Sequence, residues 1–262
     1  MAAVLIGVCL GLIGGGGSIL TIPVLVYLFH LGPQPATCYS LFIVCVSSFV
    51  GSISYLKHNF VCYKSVVVFG IPSLISVYIT RKFIFPSIPE NLEMTQGFFM
   101  NKDVLIMILF SLVMMAAAFS MIRKPKVMKP DDYVNTDPYK YVMTVAGGIF
   151  VGFLSGLLGT GGGFLIIPAL VIFARLGMKV AIGTSLIIIT TNTAIGFLSD
   201  LHNNELGHGI NWMFLAVFTA LSVAGIFSGT YISRHISGYK LKTAFGWFIL
   251  VIGTFIISQY FF

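Results

Sequence analysis

Residues 11 to 25 read GLIGGGGSILTIPVL, and residues 156 to 170 nearly repeat them as GLLGTGGGFLIIPAL. Consecutive glycines are poor helix formers and take left-handed dihedrals without a steric penalty. A helix broken at such a string restarts with unbonded N–H groups and the positive end of its dipole, an arrangement that favours an anion. Gly14, Gly15, Gly16 and Gly17 make the first candidate cradle, with Ser18 as a cap. Gly159, Gly161, Gly162 and Gly163 make the second, with the Thr160 hydroxyl among them. Pro23 and Pro168 follow a little further along, where a missing N–H is tolerated or kinks the chain. Glycines also permit close helix packing. Gly7 with Gly11, Gly148 with Gly152 and Gly156, and Gly225 with Gly229 have the one-per-turn spacing for that role. Four in succession do not, so the strings point to a backbone binding site.

The segments that follow carry the other polar atoms: Ser40, Ser47 and Ser48 in one, and Thr184, Ser185, Thr190, Thr191, Asn192 and Thr193 in the other. An amide is the costliest of these to bury, so Asn192 demands a partner or a ligand. The hydroxyls are ambiguous, because Ser and Thr readily bond their own helix backbone. Ser40, Ser185 and Asn192 complete the candidate anion site, and neutral donors suit an anion that must also leave. Asp200 and His202, with Glu205 nearby, are candidate proton-coupling groups at one span end. Arg175, the counterpart of His30, either draws anions toward the second string or anchors the chain at the membrane surface. His30, His58, His202, His208 and His235 fall at or near span ends, and no acidic pair lies within a span. Nucleophilic and metal-assisted chemistry therefore lack their parts, and an enzyme, a metal or another cofactor is not expected. Cys9, Cys38, Cys45 and Cys62 have no metal-ligand spacing and read as small hydrophobes.

The elements that position these groups must be membrane helices. Of 262 residues, 57% are hydrophobic and 9% charged, with a mean hydropathy of +0.99. A soluble domain carries about a quarter charged residues. Apolar stretches near the ~20 residues needed to span a bilayer recur at Pro35–Leu56, Lys64–Phe83, Val104–Ile122, Val180–Asp200, Ile210–Ser233 and Leu241–Phe262. The net charge of +7 sits in short Lys/Arg clusters between these stretches, which marks topology rather than a nucleic-acid partner. The first apolar segment has no basic region before it and has a twin in mid-chain, so it does not read as a signal peptide.

The two glycine strings keep a constant offset, and the match continues. Leu31-Gly32 falls on Leu176-Gly177, Ser40-Leu41 on Ser185-Leu186, Gly51 on Gly196 and Asn59 on Asn204, while Tyr78-Ile79-Thr80-Arg81 resembles Tyr231-Ile232-Ser233-Arg234. The chain reads as two repeats, 1–122 and 141–262, joined by a polar linker at 123–140. If each glycine string crosses the membrane, the fifteen Lys and Arg residues divide seven against eight between its two sides. If each is a re-entrant hairpin, they divide twelve against three. Cytoplasmic loops collect basic residues, so the expectation is an all-α polytopic membrane protein of two inverted repeats. Each repeat is a glycine-broken re-entrant hairpin followed by three transmembrane helices. The linker is then cytoplasmic and both termini lie outside.

The doubled G-[LI]-[LI]-G-x-G-G-x-x-[LI]-x-[LI]-P pattern, one copy per half, resembles the TauE/SafE sulfite exporter family, also called TSUP. The resemblance covers essentially the whole chain. It implies a cell-membrane transporter (inner membrane in a Gram-negative cell) that exports sulfite or a small organosulfonate. Carried across by residue, it marks Gly14 to Gly17, Pro23, Gly159, Gly161 to Gly163 and Pro168. Thr160 replaces a glycine in the second copy, and Ser18 stands where that copy has Gly163, so the two halves of the site are not equivalent. The expected partners are a small anion and the lipid bilayer, with proton coupling as an option. A passive channel, or a transporter for another small anion, is the alternative.

Overall fold

The computed structural model describes residues 2–14, 18–84, 87, 91–95, 98–101, 108, 111–112, 115–116, 118–119, 121–122, 138–158, 163–202 and 211–261. Gly15 to Gly17, Gly159 to Gly162, Glu205 and His208, most of Val104–Ile122 and most of the 123–140 linker lie outside them. Helices α1 (Ala2–Ile13) and α2 (Ser18–Pro23) flank the first glycine string, and α2 runs on as a π-helical turn, Val24–Leu28. Then come α3 (Pro33–Leu56) and α4 (Tyr63–Ile79), the latter ending in a second π-helical turn, Thr80–Ile84. In the second half α5 (Pro138–Leu158) and α6 (Gly163–Ile172) flank the second string, followed by α7 (Met178–His202), α8 (Trp212–His235) and α9 (Gly238–Phe261). Pro35–Leu56, Tyr63–Ile84, Met178–Leu201 and Trp212–Ser233 are long and apolar enough to cross a membrane. At 1.5 Å per residue, 22 residues of helix span about 33 Å.

One element departs from the all-helical expectation. Strands β1 (Asn91–Thr95) and β2 (Phe98–Asn101) pair antiparallel, Leu92 opposite Met100, with Gln96-Gly97 between them in sequence. A glycine after one polar residue is hairpin-turn chemistry, which a search for apolar spans does not weigh.

Burial is inverted relative to a soluble protein. Ser40, Ser47, Ser48, Ser73, Thr184, Ser185, Asn192, Thr193 and Ser222 are wholly buried, while Leu5, Phe150, Met213, Phe227, Tyr231 and Trp247 are exposed. Exposed large apolar side chains on so many helices form a lipid-facing surface. The chain is membrane-embedded.

The centre of the fold is the α3/α7 pair. Added Cβ atoms on Gly51 and Gly196 would meet Leu186 and Leu41 respectively. Between these contacts Cys45 Sγ donates to the Thr190 carbonyl at 3.7 Å. Contact positions that rise along α3 fall along α7, so the two helices run antiparallel. Cys45 and Thr190 are themselves 145 residues apart, the spacing of the repeat, so a residue here touches its own counterpart.

Glycines lock the outer pairs. Gly7 and Gly11 of α1 face the Ser222 and Ile226 carbonyls of α8, where Gly225 and Gly229 return the contact. In the same way Gly148, Gly152 and Gly156 of α5 face Phe69, Ser73 and Val77 of α4. Carbonyls this close leave no room for a side chain, so these glycines are packing residues, as their spacing implies. The contacts make Ser73 and Ser222 equivalent, opposite Gly152 and Gly7. This shifts α4 against α8 by about one helical turn from the pairing of Tyr78 with Tyr231. Two apolar helices have few landmarks, and packing rather than residue identity fixes their register.

Each short helix ends alike. His30 and Arg175 have φ of 52° and 53°, and the next N–H reaches back, Leu31 to the Leu25 carbonyl (3.1 Å) and Leu176 to the Leu170 carbonyl (3.2 Å). This is the Schellman closure, with a left-handed residue just past the helix. Arg175 thus holds the position that ends α6, a role its charge does not reveal.

Candidate functional site

The first break opens at Gly14, whose φ of +70° is a left-handed conformation that side chains resist. It is buried, and an added Cβ would lie 2.9 Å from Ile182 and 3.2 Å from Ser185 Oγ, both on α7, and 3.4 Å from Ile167 on α6. Gly14 therefore packs against the second half of the chain, beside one of the predicted site residues. Gly163, buried, is the first residue of α6, and Ser18 is the first of α2. The glycines between lie outside the described residues, as does Thr160.

The hydroxyls divide into two groups. Ser185 gives its proton to the Ile182 carbonyl (2.8 Å), and Thr190, Thr191 and Thr193 likewise bond their own helix. By contrast, the wholly buried Oγ atoms of Ser40 and Ser48 have no partner among the described residues. Ser40 is the repeat counterpart of Ser185, so the two halves offer unlike chemistry at equivalent places. Ser155, one turn ahead of the second string, is buried with an Oγ that is likewise unpartnered among the described residues. Sequence reasoning passed over it because a lone serine amid leucines and glycines reads as packing. Its spacing from the glycine string was the available signal.

Asn192 is wholly buried and donates from Nδ2 to Ser73 Oγ at 2.7 Å, while Oδ1 has no partner among the described residues. Exchanging the amide O and N would not remove the orphan, only change it from acceptor to donor. Ser47, the repeat counterpart of Asn192, donates to Ser222 at 3.1 Å. Ser73 and Ser222, already equivalent by packing, thus hold equivalent partners.

These are the middle members of two seams, α4/α7 and α3/α8. At one end of each seam, Cys62 N–H donates to Thr184 Oγ1 (3.0 Å) and Asn211 N–H donates to Tyr39 OH (2.8 Å). At the other end the chemistry diverges. Tyr55 OH donates to the Gly11 carbonyl (3.2 Å) and pairs with Ser233 Oγ (3.0 Å). Asp200, the repeat counterpart of Tyr55, accepts from Arg81 Nη1 at 3.0 and 2.8 Å. Because α3 and α7 are antiparallel, the neutral tie and the ion pair lie at opposite ends of the bundle. A small cleft adjoins the neutral tie, lined by Ser54, Tyr55, His58, Phe60, Lys179 and Ser233.

The structure thus brings Gly14 to Ser185 and buries Ser40 and Asn192 in the same core. It gives Asp200 to Arg81, which stands near the end of the Lys64–Phe83 stretch. His202 ends α7.

Comparison with known proteins points to membrane transporters. A 257-residue alignment with a "Probable membrane transporter protein" of Xylella fastidiosa (strain Temecula1) is 28% identical and covers 97% of this chain and 91% of that one. The "Probable membrane transporter protein YunE" of Bacillus subtilis is 31% identical over 219 residues, 78% of this chain and 76% of the relative. A "Probable membrane transporter protein" of Methanocaldococcus jannaschii is 26% identical over 264 aligned positions, 97% and 92%. No solved structure matches the chain. The family profile described as sulfite exporter TauE/SafE matches residues 1–256, and the chain belongs to that family of membrane transporters.

Proposed function

We propose that the protein exports a small sulfur oxyanion, sulfite or a small organosulfonate, by alternating access of two inverted repeats, 1–122 and 141–262. The backbone N–H groups of the half-helices after Gly14–Gly17 and Gly159–Gly163 each hold the anion in turn, the first on the Tyr55 side, where Gly11 packs, and the second on the Arg81 side, where Gly156 packs. The Ser40 hydroxyl, the Asn192 amide and the hydroxyls of Ser18 and Thr160 assist, and Ser185 shapes the wall beside Gly14. The observation that carries this reading is the buried left-handed Gly14 seated against α6 and α7 of the other half, in a core that also holds Ser40 Oγ and Asn192 Oδ1, neither with a partner among the described residues. Irregular backbone at membrane depth persists where it is buried in protein or lines a polar path, and buried polar atoms without partners call for a ligand.

The antiparallel contact of Cys45 with its counterpart Thr190 supports inversion. A twofold that relates two antiparallel helices is perpendicular to them, and so lies in the membrane plane. The bias of Lys and Arg supports a cytoplasmic 123–140 linker in the cell membrane with both termini outside. That orientation puts the cleft beside Tyr55, with Lys179 and His58, on the cytoplasmic side, where an exported anion enters. Proton coupling through Asp200 and His202 belongs to the same proposal.

The test is flux of labelled sulfite from proteoliposomes, with sulfate and taurine as competitors, with and without an imposed pH gradient. Saturable sulfite flux that follows the gradient is the expected result. Flux that never saturates identifies a channel, and a different anion that moves in place of sulfite overturns the assigned cargo. Gly16→Leu or Gly162→Leu abolishes binding, and full affinity in either variant removes the glycine site.

A further inference from the structure

The ion pair at the end of the α4/α7 seam is unlike anything else among the described residues. Arg81 is 3% exposed, deep for a guanidinium, in the π-helical turn that ends α4; Asp200, its partner, is in the last turns of α7. Two helical turns along the same seam lies the Ser73–Asn192 pair, in the same register, since both pairs join residues 119 apart. Thr80, next to Arg81, packs on Gly156, three residues before the second glycine string. The seam therefore runs as a line from the buried polar core, past the approach to a glycine break, to a buried cation. Its counterpart, α3/α8, ends on Tyr55 and Ser233, which carry no charge.

A buried guanidinium cannot shed its carboxylate for nothing. Removing one partner of a buried pair leaves an uncompensated charge, and that state is strongly disfavoured. Among the described residues Asp200 is the carboxylate that compensates Arg81, and an oxyanion suits a guanidinium as well as a carboxylate does, so an anion that takes its place favours the parted seam. We infer that Arg81 is a second anion station. A small oxyanion leaving the core displaces Asp200 from Arg81, so the α4/α7 end opens for cargo while the Tyr55–Ser233 end is insensitive to it. This rests on the reading that the cargo is a small anion, but not on which one.

The experiment is chemical rescue in the full-length protein. Asp200→Asn deletes the carboxylate and keeps the shape, and thermal unfolding is followed while sodium sulfite, sulfate or formate is titrated at fixed ionic strength. The variant is expected to melt well below the parent, to recover in a saturable way with an oxyanion, and to bind it about tenfold more tightly than the parent, a step of one decade in affinity. A variant that melts early and that no anion restores overturns the inference and leaves Arg81–Asp200 a structural tie. So does one that binds anions no more tightly than the parent. Recovery with formate or sulfate but not sulfite keeps the station and removes the cargo assigned above. If Asp200→Asn does not fold, Arg81→Gln with Asp200→Asn supplies a neutral pair that needs no counterion. A raised KM for flux is then expected, and an unchanged KM rejects Arg81 as a station.

Discussion

Asn192→Leu gives an experiment whose two readouts move in opposite directions. Leu keeps the branch at Cγ and the same number of heavy atoms, so the exchange deletes one hydrogen bond and one orphaned oxygen. The bond to Ser73, at 2.7 Å, is wholly buried. Such bonds inside membrane proteins contribute about 0.6 kcal/mol, and up to about 1.7. Oδ1, with no partner among the described residues, carries a desolvation cost of about 1–3 kcal/mol. Ser73, left alone, can bond its own helix. The balance favours the variant: Asn192→Leu is expected to be as stable as the parent or up to about 2 kcal/mol more stable, while anion affinity falls at least tenfold. Ser73→Ala keeps the amide and strips its partner, so it is expected to lose about 1–3 kcal/mol. Thermal unfolding of the purified protein gives the stabilities, and titration of the cargo anion in the same assay gives affinity. A destabilised Asn192→Leu that still transports at the parent rate would refute the reasoning, since the amide would then be a structural group with no ligand to serve.

Two further substitutions test the packing account. Gly7→Ala drives a methyl into the Ser222 carbonyl, and overpacking at so rigid a contact is expected to cost about 1–3 kcal/mol. Gly32→Ala meets only Pro35 ring carbons at 3.6 and 3.9 Å and is expected to stay within about 0.5 kcal/mol of the parent, so equal losses at the two positions would reject the glycine-lock interpretation. Arg175→Gly relieves a left-handed conformation worth about 1–2 kcal/mol against a glycine entropy cost of about 0.5–1. A thermal midpoint that rises with an unchanged KM for the anion is expected, and a raised KM would instead give Arg175 a part in drawing the anion in.

The parts of the fold legible in the sequence are those the repeat preserved. The Leu41/Leu186 and Gly51/Gly196 matches survive as identities, and they mark the α3/α7 centre. The small-xxx-small pairs are legible because a carbonyl against a Cα excludes every side chain but hydrogen. The seams are not legible, and for a definite reason. Their partners lie 119 to 178 residues apart, and the chemistry changed between halves. Ser47 answers to Asn192, and Tyr55 answers to Asp200. A repeat search compares residue types and discards such pairs, although the positions correspond. Arg81 illustrates the cost. One of fifteen Lys and Arg residues weighed only for topology, it is 3% exposed and paired with a residue on a helix of the other half. The left-handed role of Arg175 is hidden in the same way, since Gly or Asn is the residue expected there.

The mismatch of chemistry on matched positions bears on how such a transporter is biased. With inverted repeats of identical sequence, the inward-open and outward-open conformers would be mirror exchanges of the two halves, equal in energy. Any preference between them must come from positions where the halves differ, because a ligand or a contact shifts an equilibrium only by its differential free energy between the states. The α3/α7 axis at Cys45 and Thr190 is nearly neutral in that respect, as are the Thr184 and Tyr39 ties, which both accept a backbone N–H. Along the two seams, among the described residues, the differences fall in two places. One is the middle pair, an amide on Ser73 against a hydroxyl on Ser222. The other is the end pair, an ion pair against a neutral hydroxyl tie. Opening the Tyr55 end breaks hydrogen bonds that water can replace. Opening the Arg81 end exposes a charge that an anion can stabilise. In the proposed mechanism the empty protein therefore favours opening at the Tyr55 end, and the loaded protein gains a reason to open at the other. That ordering comes from residues the repeat did not preserve.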